Sequence, residues 1–513
     1  MACDILSQIV EKRKVDIKER GVCLGFDVPS ERKRKLHPFV QKKGVILEVK
    51  RASPSKKDIA PGLDAVSTAL SYQSAGAAAI SVLTEENWFK GNLNDLKNVC
   101  DSVDIAVLRK DFLIYPDEID VAYKCGADAV LLIARVLQKE LFAKMLERTA
   151  FFGMTAFVEL RLEEDLKKLL DAKKIAGDKV PQIVCGVNAR DLKDFSIDLL
   201  SPSGFLPEIK SAMGESCPVV FESGIRTSRA ASFAGSLGFT GLLLGEAAAR
   251  DSSKASELVR AFVDAGETKN SASWSLYSKM ARERKSQKKA RPFIKICGLT
   301  NLDDALFCAD LGADFLGFVF CASSPRATDE AFVRSAKSAF LSREKRPCFV
   351  GVVTELSSEQ GKAALRLASE GVLDFVQLHG KKAAEEFFAD PLNMEIPHYC
   401  AQNVGSGADL EGLERLASLG EPRVLIDAKA VGSDPAGLGG TGTQVEGKLV
   451  LEAKKKAPLW LSGGLSERNV QETIEKYSPE LIDASSLLES GPRKKDFQKL
   501  RAFFKAASAA ALI

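Results

Sequence analysis

Short apolar runs alternate with longer amphipathic segments in this sequence, and the alternation repeats eight times on each side of residues 266–291. The runs are rich in Val, Ile, Leu and Phe, which is typical of parallel strands buried on both faces. The segments between them, such as "YPDEIDVAYKCG" and "NLDDALFCADLG", have the spacing of amphipathic helices. Eight strand–helix units per half predict an α/β fold of two tandem (β/α)8 TIM barrels joined by a linker.

The limits of the two barrels follow from the same pattern. Residues 266–291 lack an apolar stripe and end in a basic run, so we predict one barrel at 1–265, a linker at 266–291 and another barrel at 292–513. The stretch "DILSQIVEKRKVDIKERG" has a 3.6-residue period and predicts an extra N-terminal helix lying across the first barrel. A doubly wound open sheet is the structural alternative, but no GxGxxG motif follows an early strand.

Composition excludes several classes of protein. The 513 residues are 45% hydrophobic and 27% charged, an ordinary balance for a soluble protein, and the net charge of +3 gives no reason to expect a nucleic-acid or membrane partner. Eleven scattered cysteines without a CxxC pair fit a reducing compartment, and three histidines make a metal site unlikely. We expect a cytoplasmic monomer without a signal peptide or transmembrane segment.

Polar side chains stand at the carboxyl ends of the first barrel's predicted strands, where such barrels place their active sites. In "VILEVKRASPSK", Glu48 and Lys50 share a strand face with Ile46, so burying them is costly unless they are paired or functional. Each charge alone could simply be hydrated, but barrel closure makes them converge and favours acid–base chemistry. The other strand-end candidates are Lys110, Glu159, Asn188, Arg190, Glu222, Ser223 and Gly245.

Two physical expectations follow from that convergence. Burial and neighbouring lysines should lower the pKa of one lysine far enough for it to serve as an acid near neutral pH. Ser223 and Gly245, at the seventh and eighth strand ends, suit a phosphate held by backbone N–H groups.

Six motifs in order, "VILEVKRASPSK", "VLRKDF", "FVEL", "GVNARDL", "FESGI" and "LLLGEA", resemble indole-3-glycerol-phosphate synthase across the first half. That family converts 1-(2-carboxyphenylamino)-1-deoxyribulose 5-phosphate to indole-3-glycerol phosphate with loss of CO2 and water. The resemblance implies that Lys110 is the general acid for ring closure and Glu159 a general base, with Glu48 and Lys50 assisting dehydration and carboxylate binding. It also implies that Asn188 belongs to the catalytic set and helps to hold the substrate, and that Arg190, Glu222, Ser53, Ser223, Gly224 and Gly245 bind the substrate.

The second half carries a different set of strand-end residues. Cys297 ends the first strand, although a buried cysteine is usually just a small hydrophobe. Asp427 ends the sixth strand and is followed by "VGSDPAGLGGTGT", a candidate mobile loop. His379 follows the fourth strand and could equally be structural. Further candidates are Arg326 after the second strand and Gly463, Gly464, Ser485 and Ser486 at the phosphate-binding positions of the seventh and eighth.

The motifs "KICGLT", "SPR", "QLHG", "LIDA", "GGTGT", "SGGL" and "DASSLLE" resemble phosphoribosylanthranilate isomerase over residues 292 to about 505. That enzyme catalyses an Amadori rearrangement. The resemblance implies that Cys297 takes the C2′ proton, that Asp427 protonates the ring oxygen and that Arg326 clamps the anthranilate carboxylate. We expect Lys295 to give Cys297 little help because it should point to the opposite face of the strand.

The sequence departs from both families at several positions. Ala247 replaces the serine of "GES", and Arg161 stands where a histidine is common. In the second half, Leu487 and Leu488 follow the paired serines, "GGTGTQVEG" lacks the usual Lys or aromatic positions after its glycines, and "FCASSPRAT" lacks a familiar aromatic. We expect Ala247 to weaken substrate binding rather than abolish activity, since backbone N–H groups can still hold the phosphate. We expect the second barrel to remain an active isomerase, since Cys297 and Asp427 are both present.

Together the resemblances imply a bifunctional enzyme of tryptophan biosynthesis, since the isomerase product is the synthase substrate. Its ligands would be small phosphorylated molecules, and the proton transfers, decarboxylation and dehydration call for no organic cofactor or metal. The alternatives are an active synthase with a decayed isomerase barrel, an aldolase-like enzyme forming a Schiff base on Lys50 or Lys110, and a non-catalytic binder of phosphorylated ligands.

Overall fold

The computed structural model describes residues 5–54, 58–191, 197–250, 252–266, 291–344, 346–390, 392–393, 396–429 and 444–510. The chain divides into two compact units, Met1–Thr268 and Lys269–Ile513. Each unit contains one closed barrel of eight parallel strands, which confirms the predicted fold. Residues 267–290 of the predicted linker and the glycine-rich stretch 431–443 lie outside the described residues.

All eight apolar runs of the first half form strands of one barrel, and β8 returns to pair with β1. Every backbone group of a closed barrel finds a neighbouring strand, so the sheet has no exposed edge. The strands are β1 (Gly44–Val49), β2 (Ala79–Leu83), β3 (Ala106–Lys110), β4 (Ala129–Ile133), β5 (Thr155–Leu160), β6 (Ile183–Asn188), β7 (Val219–Glu222) and β8 (Gly241–Leu244).

Helices follow the strands of this barrel, as the amphipathic segments predict. Several begin at a side chain that caps the first turn: Asp64 accepts a hydrogen bond from the Ser67 amide at 2.8 Å, and Asn92 does so from Asp95 at 2.8 Å. The helices are α1 (Ile5–Arg20), α2 (Ala65–Ser74), α3 (Leu93–Ser102), α4 (Asp117–Lys124), α5 (Lys139–Phe151), α6 (Glu163–Ala176), α7 (Ser201–Met213), α8 (Ser228–Ser236), α9 (Glu246–Arg250) and α10 (Ser252–Val263).

The second unit repeats the architecture, with β16 closing on β9. Its barrel strands are β9 (Phe293–Ile296), β10 (Phe315–Phe320), β11 (Cys348–Val353), β12 (Phe375–His379), β13 (His398–Val404), β14 (Val424–Ala428), β15 (Trp460–Ser462) and β16 (Leu481–Ala484). A small antiparallel pair, β17 (Glu489–Gly491) and β18 (Lys494–Lys495), follows.

The helices of the second unit are α11 (Leu302–Asp310), α12 (Glu330–Ala339), α13 (Glu359–Ser369), α14 (Lys381–Ala389), α15 (Leu410–Ser418), α16 (Gly447–Lys454), α17 (Val470–Tyr477) and α18 (Phe497–Ala509). Two short 3-10 helices lie at Gly407–Asp409 and Ser486–Leu488. Throughout the described part of the chain, no helix combines the length and apolar character needed to span a bilayer.

The predicted N-terminal helix is present as α1, and it lies against the strand end that carries Lys110. Its Leu6 and Ile9 are buried in the first barrel's core. Asp111, one residue beyond Lys110, forms an ion pair with Arg13 of α1 at 3.1 Å. Arg13 also donates two hydrogen bonds to Glu118, at 2.9 and 2.5 Å. Because all three charged side chains are buried, these bonds fix α1 beside the site.

We predict that Gly186→Ala destabilises the first barrel by about 1–3 kcal/mol, the usual cost of overpacking a core. A Cβ at Gly186 in β6 would collide with Oε1 of Glu222 and lie 2.7 Å from the Phe157 ring. Gly204→Ala is the matched control, because its Cβ would meet nothing within 4 Å and Ala favours a helix. Urea unfolding measures both; equal stability of the two variants would contradict the packing described here.

Candidate active sites

The first barrel opens at the carboxyl ends of its strands into a cavity of about 1140 Å³, called here the first-barrel cavity. Most of the predicted residues line it together: Glu48, Lys50, Ser53, Lys110, Glu159, Asn188, Arg190, Ser223, Gly224 and Gly245. Ile5, Leu6 and Ile9 of α1 add an apolar wall. The cavity therefore combines an apolar side, suited to an aromatic ring, with a dense set of charges.

Lys110 is the centre of the charge cluster. Its Nζ lies 3.2 Å from Oε2 of Glu48 and 3.0 Å from Oε2 of Glu222. Lys50 approaches the other oxygen of Glu48 at 2.7 Å. Glu222 is fully buried behind Lys110 and does not reach the cavity wall. Glu48 and Lys50 are thus both an ion pair and part of the site.

The lysine prediction is wrong in direction for Lys110. Burial does act to lower the pKa of Lys110, but Glu48, Glu222 and Glu159 outweigh it and raise the pKa above its ordinary value. Burial would likewise raise the pKa of Glu48, yet Lys110 and Lys50 hold it at about 2. Lys110 is therefore a charged donor and Glu48 a carboxylate at neutral pH.

Glu159 has the opposite character. Burial, reinforced by the charge of Glu222 and opposed by Lys110, raises the pKa of Glu159 to about 8. Nδ2 of Asn188 donates to Oε2 of Glu159 at 3.3 Å and fixes the carboxyl group. Two carboxyl groups with separated pKa values in one cavity are the arrangement that acid–base catalysis uses.

The second barrel has a smaller cavity at the same end of its strands, about 590 Å³ in volume, called here the second-barrel cavity. Cys297, Arg326, His379, Asp427 and Ser485 line it, as predicted. Gly463, Gly464 and Ser486 do not reach its wall. Oδ1 of Asp427 accepts a hydrogen bond from the Ala428 amide at 2.9 Å, and His379 Nε2 lies 4.0 Å from Oδ2.

Arg326 lines the second-barrel cavity and is held by an acidic neighbour. Its Nε and Nη2 donate to the two carboxylate oxygens of Glu489 at 2.7 and 2.9 Å. Lys495 Nζ also donates to Glu489, at 3.0 Å, and to the Ser485 carbonyl at 3.2 Å. This network orients the guanidinium and connects it to the eighth-strand end.

The prediction that Lys295 points away from Cys297 is wrong. Residues two apart along a strand share a face, so Lys295 and Cys297 lie on the same side. The side chain is fully buried inside the barrel and donates to Gln377 Oε1 at 2.6 Å and Asp483 Oδ2 at 2.5 Å. Burial raises the pKa of Cys297, and the charge of Lys295 opposes that rise. Lys295 thus favours the Cys297 thiolate, contrary to the prediction.

Comparison with known proteins assigns both halves. Residues 7–261 match the family model of indole-3-glycerol phosphate synthase, and residues 294–506 match that of N-(5'phosphoribosyl)anthranilate (PRA) isomerase. The indole-3-glycerol phosphate synthase of Mycolicibacterium smegmatis is 38% identical over 47% of this chain and 88% of its own length. The chain belongs to the indole-3-glycerol phosphate synthase family, and its second half matches the isomerase family model.

A longer relative contains both halves. The multifunctional tryptophan biosynthesis protein of Phanerodontia chrysosporium is 31% identical over 91% of this chain and 63% of its own length. The chain thus spans about three-fifths of the length of such relatives. A crystal structure of the phosphoribosyl anthranilate isomerase of Thermotoga maritima covers 42% of this chain and 98% of its own, with 32% identity and a TM-score of 0.35.

The structure gives a role to Arg161 in the synthase barrel, which the sequence did not reveal. Arg161, where the family often has His, donates to the Arg190 carbonyl at 2.6 Å and the Asn188 carbonyl at 3.4 Å, and pairs with Asp191 at 2.9 Å. It therefore ties the end of β6 to the end of β5. Its position directly after β5, two residues beyond Glu159, was the available signal.

Close packing also explains Gly245, which was predicted only for phosphate binding. A Cβ there would lie 2.5 Å from Oε1 of Glu48 and 2.9 Å from Nζ of Lys50. The isomerase barrel has a counterpart in Gly317, where a Cβ would lie 2.7 Å from Sγ of Cys297. Both glycines leave room for a reactive side chain on the neighbouring strand.

We predict that Glu159 titrates near pH 8 in the ligand-free protein, and that Glu222→Gln shifts this titration to lower pH. The sign follows because the Glu222 charge raises the pKa of Glu159, so its removal lowers that pKa. Infrared difference spectra between proteins with and without Glu159→Gln report the carboxyl C=O band across pH. Asp120→Asn, which removes a carboxylate paired with Arg148 away from the cavity, is the control; an equal shift there would contradict the assignment.

Proposed function

We propose that the protein catalyses two consecutive steps of tryptophan biosynthesis. The isomerase barrel, assigned to residues 292–513, converts N-(5-phosphoribosyl)anthranilate to 1-(2-carboxyphenylamino)-1-deoxyribulose 5-phosphate. The synthase barrel, assigned to residues 1–265, converts that product to indole-3-glycerol phosphate with loss of CO2 and water. The single observation that carries the proposal is the convergence of Lys110, Glu48 and Glu159 on a cavity whose far wall is apolar.

In the synthase barrel, Lys110 supplies the proton as the anthranilate ring carbon attacks the substrate carbonyl. A charged ammonium aimed at the carbonyl oxygen stabilises the negative charge that develops there. Departure of CO2 restores the aromaticity of the benzene ring, and loss of water then completes the indole. Glu159, which is a stronger base than an ordinary carboxylate when ionised, removes the proton that is lost in the dehydration step. Glu48 and Lys50 assist the departure of the hydroxyl group as water.

In the isomerase barrel, Asp427 gives a proton to the ring oxygen and the ribose opens. The Cys297 thiolate then takes the C2′ proton, and the resulting enol becomes the ketone. Buried Lys295 supports this role, since its charge opposes the rise in the pKa of Cys297 that burial causes. Arg326, oriented by Glu489, binds the anthranilate carboxylate through the rest of its guanidinium, and His379 contacts the substrate beside Asp427.

Backbone conformation supports a phosphate position at the seventh strand end of both barrels. Ser223 and Gly224 follow β7 with φ of 70° and 84°, and Gly463 and Gly464 follow β15 with φ of 95° and 59°. A serine in the left-handed region is uncommon and is retained mainly at functional sites. In this proposal the phosphates bind there through backbone N–H groups, together with Ser53 and Gly245 in one barrel and Ser485 and Ser486 in the other. In the second barrel the cavity wall itself is formed by Ser462, which precedes Gly463, and by Ser485.

The alternative functions find less support. A Schiff-base mechanism needs a neutral lysine, whereas three carboxylates raise the pKa of Lys110. A decayed isomerase barrel is disfavoured because Cys297 and Asp427 line one cavity.

The altered positions Ala247 and Leu487 differ in their surroundings: Ala247 lines the synthase cavity, and Leu487 is partly exposed to solvent. A cytoplasmic monomer without a nucleic-acid partner stays a prediction.

We expect single substitutions to separate the two activities. Lys110→Ala or Glu159→Gln should lower synthase turnover by about 100-fold or more, the usual contribution of a general acid or base, and leave isomerisation intact. Cys297→Ala or Asp427→Asn should do the reverse. Each activity is assayed with its own substrate, so every variant controls for the folding of the other barrel. Normal isomerisation by Cys297→Ala would contradict the base assignment.

A further inference from the structure

Asp483 is a buried carboxylate in the isomerase barrel to which no role has yet been assigned. It lies at the end of β16, is only 5% exposed and lines the second-barrel cavity with Cys297 and Asp427. Its strand neighbour is Lys295, which pairs with it directly in the β16–β9 register. Asp483 therefore lies beside the strand end that carries Cys297.

The two oxygens of Asp483 have different surroundings. Oδ2 accepts a hydrogen bond from the Lys295 ammonium at 2.5 Å. Oδ1 is buried, and no group in the described part of the chain donates a hydrogen bond to it. A buried carboxylate oxygen without a donor costs free energy that a well-placed ligand donor recovers. Since Asp483 is a cavity-lining residue, the missing donor is expected on a ligand.

The surroundings also decide what kind of donor fits. Burial raises the pKa of Asp483, and the charge of Asp427 adds to that rise, while the charges of Lys295 and His379 oppose it. The site therefore holds a carboxylate that an ammonium fixes through one oxygen and that has no donor for the other, in the same cavity that Cys297 lines. In the proposed substrate the carbon that Cys297 deprotonates carries a hydroxyl group.

We propose that Asp483 is a substrate-contacting residue of the isomerase, with Oδ1 accepting a hydrogen bond from the 2′-hydroxyl of the phosphoribosyl group. The bond holds C2′ above the Cys297 sulfur and orients its hydrogen toward the thiolate. Gln377, which receives hydrogen bonds from Lys295 at 2.6 Å and from Tyr399 at 2.9 Å, keeps the ammonium in place. This assignment rests on the proposed isomerase function.

The test compares two ligands in the full-length protein. One is reduced 1-(o-carboxyphenylamino)-1-deoxyribulose 5-phosphate, which carries a hydroxyl at C2′, and the other is the same compound without that hydroxyl. Binding is measured as protection of Cys297 from iodoacetamide, quantified by mass spectrometry of the peptide that contains it. This readout needs no turnover and reports the isomerase cavity even if the synthase cavity also binds the compounds.

The wild-type protein should bind the hydroxyl-bearing compound about 10- to 100-fold more tightly, as expected for a hydrogen bond to a charged group. Asp483→Asn should bring the two affinities close together, whereas Asp374→Asn should preserve the wild-type ratio. Asp374 is a suitable control because it accepts bonds from Lys337 and the Phe349 amide, both at the opposite end of the strands from the cavity.

The ratio of affinities removes general effects on folding, because these act on both compounds alike. An Asp483→Asn protein that keeps the full wild-type preference would overturn the assignment, as would a wild-type protein without any preference. If neither compound protected Cys297 in the wild-type protein, the proposed isomerase function itself would fail, so the two failures are distinguishable.

Discussion

An ammonium group inside a protein costs several kcal/mol unless carboxylates surround it, and each barrel is built around one such group. Lys110 lies between Glu48 and Glu222 in the first barrel, and Lys295 pairs with Asp483 in the second. In both cases the partners come from other strands, so the pairs exist only when the barrel is closed. The same closure places Glu159 beside Lys110, while strand alternation places Cys297 on the same face as Lys295, and in both places buried charges influence protonation.

Much of this was readable from the sequence, because both relevant signals are local. Continuous apolar runs set the sixteen strands, and the polar residue that ends each run marks the edge where closure assembles a site. Glu48, Lys110 and Glu159 were predicted in this way and line one cavity. Cys297 and Asp427 were predicted by resemblance and line the other.

What the sequence could not supply depends on distances between strands. The sign of the pKa shift of Lys110 is set by three carboxylates from different strands, and counting nearby lysines gave the wrong direction. Arg161 acts through backbone carbonyls of the next strand, which no side-chain pattern reveals. Lys295 is a different case, since strand alternation alone places it on the same face as Cys297, and that error was avoidable.

The most direct test of the account is to give the purified protein N-(5-phosphoribosyl)anthranilate in buffer containing EDTA and to measure indole-3-glycerol phosphate. The account predicts stoichiometric conversion without added cofactor, because protein side chains supply every proton transfer. Accumulation of 1-(2-carboxyphenylamino)-1-deoxyribulose 5-phosphate would contradict the synthase assignment. No consumption of the substrate, in a protein that still converts the ribulose phosphate, would contradict the isomerase assignment.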